Sequence, residues 1–584
     1  MQNFSKEELI SQIKDLQEQL QKIKKQKKYG IVWEEKAENI DKNKLPMLEE
    51  DKELRIENDK NKPQNLIIEW DNFHALSVLQ NTHKGKVDVI YIDPPYNTGD
   101  KDFIYNDDYV DKEDTYRHSK WLSFMQKRLV LAKNLLKNDW VIFISIDEHE
   151  MFNLKLLCDE IFGEKNFIEN FIWHKNSTKN LSKTTSTNHE YILCYALNKE
   201  IVLTKNFFRE GKKWYHEVMS LVQNLKNQNF QPKEAEKELK NFYKNNPDLK
   251  WISMYNMIDE NWNIFTSSDA SAPKSTWVWN TYDVIHPVTG KVCKLPSTWW
   301  RYTFDTMQEH LKNWNILFWK DETTVPRFKR KLENVETEVK KSIIMEFSDW
   351  KKDLQKIFEV SPFDNPKPEK LIKNILSTFW KDIFVIDFFA GSGTTGHAVM
   401  ELNKEDWWNR QFILCSNREN TKENPEKNIC RDITYERNKR VIQGYTNAKW
   451  EQIKGLGGNL RYYKTTFINK NPSIDDLHYS FIHKCDDLLC IKENTFTKVS
   501  FGEEIEEIKI FHNKNHFTVI LYDMLYFAKA KEILELFPDK KISFYAFSMS
   551  KTMIAEEIAH IWKNIVLENI PDEILETYEK IFVL

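Results

Sequence analysis

The residues Asp93-Pro94-Pro95-Tyr96 place a carboxylate, a rigid corner and an aromatic ring within four positions. Asp93 can accept a hydrogen bond, the Pro94 carbonyl cannot be drawn into a helix and stays open as a second acceptor, and Tyr96 offers a face for stacking. Two acceptors and a ring suit a planar amine. The preceding run, Val87 to Ile92, is apolar except for Asp88 and rich in β-branched residues, which predicts an interior strand of a parallel sheet with Asp93 at its carboxyl end. A loop just beyond such an end is where open α/β sheets place ligands. Taken alone, the four residues also fit a proline-stiffened turn.

A second stretch, Val385 to Gly396, runs from an apolar strand through a glycine-rich turn into a helix. Gly391 and Gly393 let the backbone approach a ligand closely. Together with Asp387 at the strand end, they predict a cradle for a nucleoside cofactor. By itself the turn is equally a tight strand-to-helix connection.

Asp-Pro-Pro-Tyr resembles the catalytic motif of the DNA methyltransferases that act on the 6-amino group of adenine, and Phe389, Gly391 and Gly393, with Asp387 before them, are similar to that family's cofactor turn. The tetrad precedes the turn, an order that resembles the circularly permuted group called beta. The likeness is nearest to the modification subunits of Type III restriction-modification systems. It extends through Leu66 to Glu69, Asn97-Thr98-Gly99, Phe143 to Asp147, Thr281 to Pro287 and Thr434 to Arg437.

The resemblance implies an α/β, Rossmann-like, S-adenosylmethionine-dependent fold in which Asp93, Pro94, Pro95 and Tyr96 are catalytic. It implies that Asp387 takes the ammonium of the methionine part, with Phe388, Phe389, Gly391, Gly393 and Thr394 around the cofactor. Lys367 and Pro368 lie in Asn365 to Ile372, which resembles the segment lining the cofactor pocket in the permuted group. Glu419, just past a strand expected at Gln411 to Cys415, is the candidate for the ribose hydroxyls. The implied partners are double-stranded DNA, a nuclease-helicase restriction subunit and a second copy of the chain. The alternatives are methylation of the cytosine 4-amino group or of RNA, and a DNA-binding assembly subunit that has lost catalysis.

The elements that must position these residues follow from periodicity. Phe73 to Leu79 and Leu122 to Leu136 predict helices, and Leu66 to Glu69 and Val141 to Ile146 predict strands. Residues 65–165 read as the catalytic half, 166–364 as a target-recognition insertion where the alternation breaks down, 365–464 as the cofactor half and 465–584 as a mixed α/β region for subunit contacts. Residues 1–64 read as a helix with a coiled-coil seam at Leu9, Ile13, Leu16, Leu20 and Ile23, followed by a linker from Asp41 to Gln64. Asp100 to Thr115 is a loop long enough to close over an extruded base, and Met553 to Leu567 reads as amphipathic. Asp147 and Glu148 lie near the active edge, where an ordinary helix start explains them as well.

Seven cysteines without a Cys-x-x-Cys pair offer no zinc framework and fit a reducing compartment. The first residues lack the apolar segment of an export signal, so a cytoplasmic protein is expected. The net charge of −4 runs against a uniformly basic surface, which leaves local runs such as Arg327 to Lys331 to meet phosphate. One feature of the composition is unusual: 14 Gly against 20 Trp, where ordinary usage gives about 7 per cent Gly, roughly forty residues. Trp70, Trp140, Trp277, Trp299, Trp319, Trp407 and Trp408 stand at turn-like sites that suit glycine. This pattern predicts UGA codons translated as Trp where the source reads Gly.

Overall fold

Val87–Ile92 forms a strand with every residue buried, at the middle of a ten-stranded sheet in the computed structural model. The structure describes residues 32–582, apart from 60–61, 101, 107, 176–184, 213, 248, 250, 274–279, 347–349, 380, 421–424, 448, 470–483, 501–504, 514, 536–539, 548–564 and 571. In chain order the sheet strands are β1 (Lys44–Glu50), β2 (Gln64–Glu69), β3 (Val87–Ile92), β4 (Leu136–Ile146), β5 (Phe167–His174), β6 (His189–Ala196), β7 (Ile343–Met345), β8 (Phe384–Asp387), β9 (Gln411–Ser416) and β10 (Asn459–Asn469). Across the sheet they run β1-β10-β2-β9-β8-β3-β4-β6-β5-β7.

The central strands β2, β9, β8, β3 and β4 are mutually parallel. Their apolar runs are buried almost throughout, because helices cover such sheets. Two of those helices are α1 (Asn72–Thr82), capped by the Asp71 side chain on the Phe73 N–H, and α2 (Arg117–Leu135). The Gln80 amide ties them together by donating to the Leu131 carbonyl at 3.0 Å. β6 runs antiparallel to both β4 and β5, so its first residues reach the edge where the parallel strands end.

Phe208–Lys340 forms a separate compact unit. Its four-stranded sheet includes Arg327–Lys331. One apolar core gathers Val218, Leu239, Ile252 and Leu332, and a second gathers Trp300, Met307 and Phe328. Within the basic strand, Lys329 pairs with Asp259 at 3.5 Å and Lys331 with Glu333 at 3.6 Å. The insertion expected from residue 166 to 364 is therefore narrower as a compact body, because β5, β6 and β7 belong to the main sheet. His286, from the Thr281 to Pro287 stretch, is buried and accepts the Val288 and Thr289 N–H groups on one ring nitrogen, a structural role.

The linker expected from Asp41 to Gln64 instead begins with β1, an edge strand. Proline is tolerated there, since an edge strand has one unpaired side, and Leu45, Pro46, Met47 and Leu48 are all buried. The loop Asp100 to Thr115 carries a short hairpin, with Phe103, Tyr105 and Val110 buried. The coiled-coil seam lies outside the described residues, as does most of Met553 to Leu567, whose end enters a strand at Ile565–Ile570. That strand closes a second, five-stranded sheet built from residues after Thr497. Among the described residues no helix is long and apolar enough to cross a membrane.

Backbone angles sharpen the tryptophan question. Among the described residues fourteen non-glycine positions have positive φ, and six of them are Trp, against five Asn. These are Trp70 (φ 153°) and Trp214, Trp262, Trp314, Trp407 and Trp450, with φ between 58° and 72°. Asn tolerates the left-handed region through its short polar side chain, whereas Trp has no such help. Trp407 terminates the helix Thr394–Asp406 in the conformation that favours glycine, and Trp314, Trp407 and Trp450 are largely exposed. Trp140, Trp299, Trp319 and Trp408 do not have positive φ, and Trp277 lies outside the described residues. Trp140 is instead buried in β4, with ring centroids 4.9 Å from Phe207 and 5.4 Å from Phe379.

The expected codon at the six positive-φ positions is UGA. Replacing Trp314, Trp407 or Trp450 by Gly is expected to stabilise the chain by about 1 kcal/mol each, whereas Trp140→Gly costs about 3 to 5 kcal/mol through the cavity it leaves. Urea unfolding measures both. UGG at all six positions, with no gain from the three exposed replacements, would contradict the reading.

Candidate active site

The two motifs meet because β8 pairs in parallel with β3, Val385 opposite Val89 and Ile386 opposite Ile90. Continuing that register sets Asp387 beside Tyr91 and brings the glycine turn alongside Asp93. From β8 the chain proceeds to β9 on one side, and from β3 to β4 on the other. The carboxyl ends of β3 and β8 thus flank a topological switch point, the place where such sheets open a crevice. A cavity of about 340 Å³ lined by His83, Asp88, Lys137 and Phe384 opens at the opposite ends of these strands and holds neither motif.

The corner after β3 is fixed from several directions. The Trp121 indole donates to the Pro95 carbonyl at 2.7 Å. Asn97, in the left-handed region at φ 58°, donates to Glu150 at 2.5 Å, and Glu150 also holds His118. Among the described residues no donor occupies the Pro94 carbonyl, which is left as the open acceptor that the tetrad requires.

Asp93 lies in a cluster of charges. Its Oδ1 accepts from Lys367 Nζ at 2.9 Å and from the Tyr96 hydroxyl at 3.0 Å. The same hydroxyl reaches Glu190 Oε2 at 3.1 Å, Lys367 is 3.4 Å from that oxygen, and Lys175 holds Glu190 Oε1 at 2.6 Å. Burial pushes the Asp93 carboxyl up and Glu190 adds to this, with Lys367 opposing. Burial also raises Glu190, but Lys367 and Lys175 outweigh it and hold that carboxyl below its usual range. The Tyr96 hydroxyl is kept protonated by burial and by both carboxylates. Lys367 Nζ covers the Tyr96 ring at 4.8 Å from its centroid, so the stacking face expected from the sequence carries an ammonium here.

The glycine turn is braced from beneath. Gly391 and Gly393 have φ of 48° and 74°. A Cβ at Gly393 would lie 2.5 Å from the Asn438 amide, and one at Gly391 would lie 3.2 Å from the Phe363 ring. Thr434 donates to the Gly391 carbonyl at 2.6 Å and Arg437 to Thr394 Oγ1 at 2.6 Å, which gives the Thr434 to Arg437 stretch its purpose. Thr394 in turn donates to the Lys367 carbonyl at 3.2 Å, joining the turn to the segment ahead of the helix that Pro368 caps. Phe388 is fully buried with its carbonyl held by Asn72, and Phe389 lies 6.0 Å from Phe124 between ring centroids. Glu419 pairs with Lys427 at 3.2 Å, about a third exposed.

Asp387 accepts the Phe389 N–H at 3.0 Å and the Thr395 hydroxyl at 2.5 Å. Burial pushes its carboxyl up to about 7 against those two hydrogen bonds, with Asp93 adding to the rise. Among the described residues no Lys or Arg pairs with it. A buried carboxyl without a cation among the described residues, beside a turn with two glycines at positive φ, fits the ammonium of an amino-acid moiety such as that of S-adenosylmethionine. The sequence did not single out Glu190 or Lys175; the available signal was a lone Glu opening the apolar run that becomes β6.

A family model described as DNA methylase matches residues 87–445. The chain is 33% identical over 473 residues to the Type III restriction-modification enzyme EcoP15I Mod subunit of Escherichia coli, covering 74% of this chain and 71% of that protein. It is 34% identical over 383 residues to the StyLTI Mod subunit of Salmonella typhimurium, covering 60% and 52%, and 29% identical over 537 residues to the EcoPI Mod subunit of Escherichia phage P1, covering 85% and 76%.

Asp387 titrates near 7 when folded, against an ordinary value of 3.8. The folded state therefore binds the extra proton between those limits, and this group's contribution to stability falls as pH rises through the window. Asp387→Asn is expected to remove that slope, gaining stability over the parent above about pH 7 while weakening S-adenosylmethionine binding about tenfold or more. Unfolding across pH, with calorimetric titration of the cofactor, tests both. An unchanged slope with unchanged affinity would contradict the assignment.

Proposed function

We propose, from the premise that this chain belongs to the DNA methylase family, that it methylates the 6-amino group of adenine in double-stranded DNA as the modification and recognition subunit of a restriction-modification system. The observation that carries this reading is the pair of acceptors at the end of β3: the Asp93 carboxylate and the open Pro94 carbonyl, next to the glycine turn on the neighbouring strand.

The adenine amine is a poor nucleophile because its lone pair is delocalised into the ring. Asp93 and the Pro94 carbonyl accept its two hydrogens, favour a pyramidal nitrogen and leave the lone pair free. That interaction strengthens as the transition state forms, which is where it accelerates the reaction. S-adenosylmethionine, when bound, supplies a methyl group made electrophilic by its positively charged sulfur. Gly391 and Gly393 give the ligand close backbone contact, Asp387 meets its ammonium, and Glu419 is the candidate for its ribose. Because burial raises the Asp93 carboxyl, Asp93 is a suitable group to take the proton that the amine sheds. The base must leave the stack to reach this crevice, and Tyr96 stacks on it once Lys367 has moved aside.

Further parts of the reading rest on the arrangement of the chain. Strands β8 and β9 insert between β2 and β3 although they come later in sequence, which supports the circularly permuted order. The compact unit Phe208–Lys340, with its basic strand Arg327–Lys331, is assigned to target recognition. The reading extends to a nuclease-helicase restriction subunit as partner and to a dimer in which one copy reads DNA while the other supplies Asp93.

The test is transfer of labelled methyl groups from S-adenosylmethionine to duplex DNA. Asp93→Ala is expected to lower the rate by about a thousandfold or more while cofactor affinity is kept. Near-normal transfer by this variant would overturn the mechanism.

A further inference from the structure

In this structure the two jobs assigned to the end of β3 are both blocked by one side chain. Lys367 Nζ lies 2.9 Å from Asp93 Oδ1 and covers the ring of Tyr96 at 4.8 Å. An incoming base whose amine takes Asp93 Oδ1 and whose face takes that ring displaces the ammonium from both. It cannot be left unpaired, because Lys367 is largely buried and an isolated buried charge is costly. The second carboxylate already within its reach is Glu190, 3.4 Å away.

We infer that Glu190 is a positioning residue of methyl transfer: it receives the Lys367 ammonium and retains the Tyr96 hydroxyl when the adenine amine takes over Asp93. This rests on the reading of the site given above, and it extends that reading to a residue outside both motifs.

The geometry equips Glu190 for the exchange. Its Oε2 already faces both Lys367 and Tyr96, while Lys175 anchors Oε1 at 2.6 Å. Two lysines and two carboxylates balance in formal charge, so handing one lysine from one carboxylate to the other creates no net buried charge. The Tyr96 hydroxyl has one hydrogen and two acceptors, Asp93 at 3.0 Å and Glu190 at 3.1 Å. It can settle on Glu190 without leaving its place, which frees Asp93 Oδ1. The shift is also tied to the cofactor turn, since the Lys367 carbonyl accepts from Thr394. β6 supplies Glu190 at this edge only because it runs antiparallel to β4.

Among the described residues, the groups that act on Asp93 or share its cluster are Lys367 from the segment ahead of residue 369, Glu190 from β6 with Lys175 bound to it, Asp387 from β8, and Tyr91 and Tyr96 from its own strand and loop. Of these, Glu190 and Asp387 are the acidic neighbours that oppose ionisation of Asp93. Neutralising Glu190 takes one away and leaves the ammonium wholly on Asp93. Both changes favour the Asp93 carboxylate, so its protonation moves to lower pH even as Lys367 obstructs it.

The experiment measures methyl transfer to duplex DNA by the full chain, with S-adenosylmethionine saturating, across pH, for the parent, Glu190→Gln and Glu190→Asp. For Glu190→Gln, kcat is expected to fall about tenfold to a hundredfold, with KM for DNA and cofactor affinity within about twofold. The acid limb of kcat should move about one unit lower, whereas Glu190→Asp, which keeps the charge, leaves that limb where the parent has it. Parental kcat in Glu190→Gln would overturn the inference, as would a reduced kcat with an unmoved acid limb or a loss of cofactor affinity. A parent that forms no N6-methyladenine would overturn the underlying functional reading instead.

Discussion

The parallel pairing of β3 with β8 is the contact on which everything else depends. It joins segments about three hundred residues apart and is closed at its base by Asp88, which accepts the Phe384 N–H at 2.8 Å and pairs with Lys137 at 2.7 Å. Neighbouring strands in a sheet lie about 4.8 Å apart, so this one register determines how near the acceptors after β3 come to the glycine turn after β8. Slipping it by one residue would turn one strand's side chains to the other face and carry Asp387 and the glycine turn out of line with Asp93. The dense burial of Val89, Ile90, Val385 and Ile386 is therefore a functional constraint as well as a source of stability.

Around that pairing the site is assembled from charges that are costly to bury singly. Asp93, Glu190, Lys175 and Lys367 satisfy one another in the present arrangement, whereas Asp387 keeps a raised carboxyl with no protein cation beside it among the described residues. The two halves of the site thus differ in kind. The strand end at β3 is internally compensated and must rearrange to accept a base; the strand end at β8 is uncompensated and gains from a cationic ligand.

Much of this was legible in the sequence because it is local. Val87 to Ile92, the helix over Leu122 to Leu136 and the turn from Asp387 to Thr394 declare themselves through periodicity, proline and glycine. What stayed hidden depends on contacts distant in sequence. β1 looked like a linker because charged residues and Pro46 mask a four-residue buried run that only an edge position accommodates. Glu190 stayed unremarked because nothing in His189–Ala196 says that the strand will run antiparallel and deliver its first residues to the active edge. The excess of Trp over Gly was plain in the composition. Which tryptophans occupy glycine's conformations was a matter for the backbone, and it proved to be Trp214, Trp262, Trp314 and Trp450 as well as Trp70 and Trp407.

The role proposed for the acceptors at the end of β3 is to hold the exocyclic amine of adenine. Nucleoside mass spectrometry of duplex DNA incubated with the chain and isotopically labelled S-adenosylmethionine tests it most directly. Label is expected in N6-methyladenine alone; label in N4-methylcytosine, or in no nucleoside while the cofactor still binds, would rule that role out.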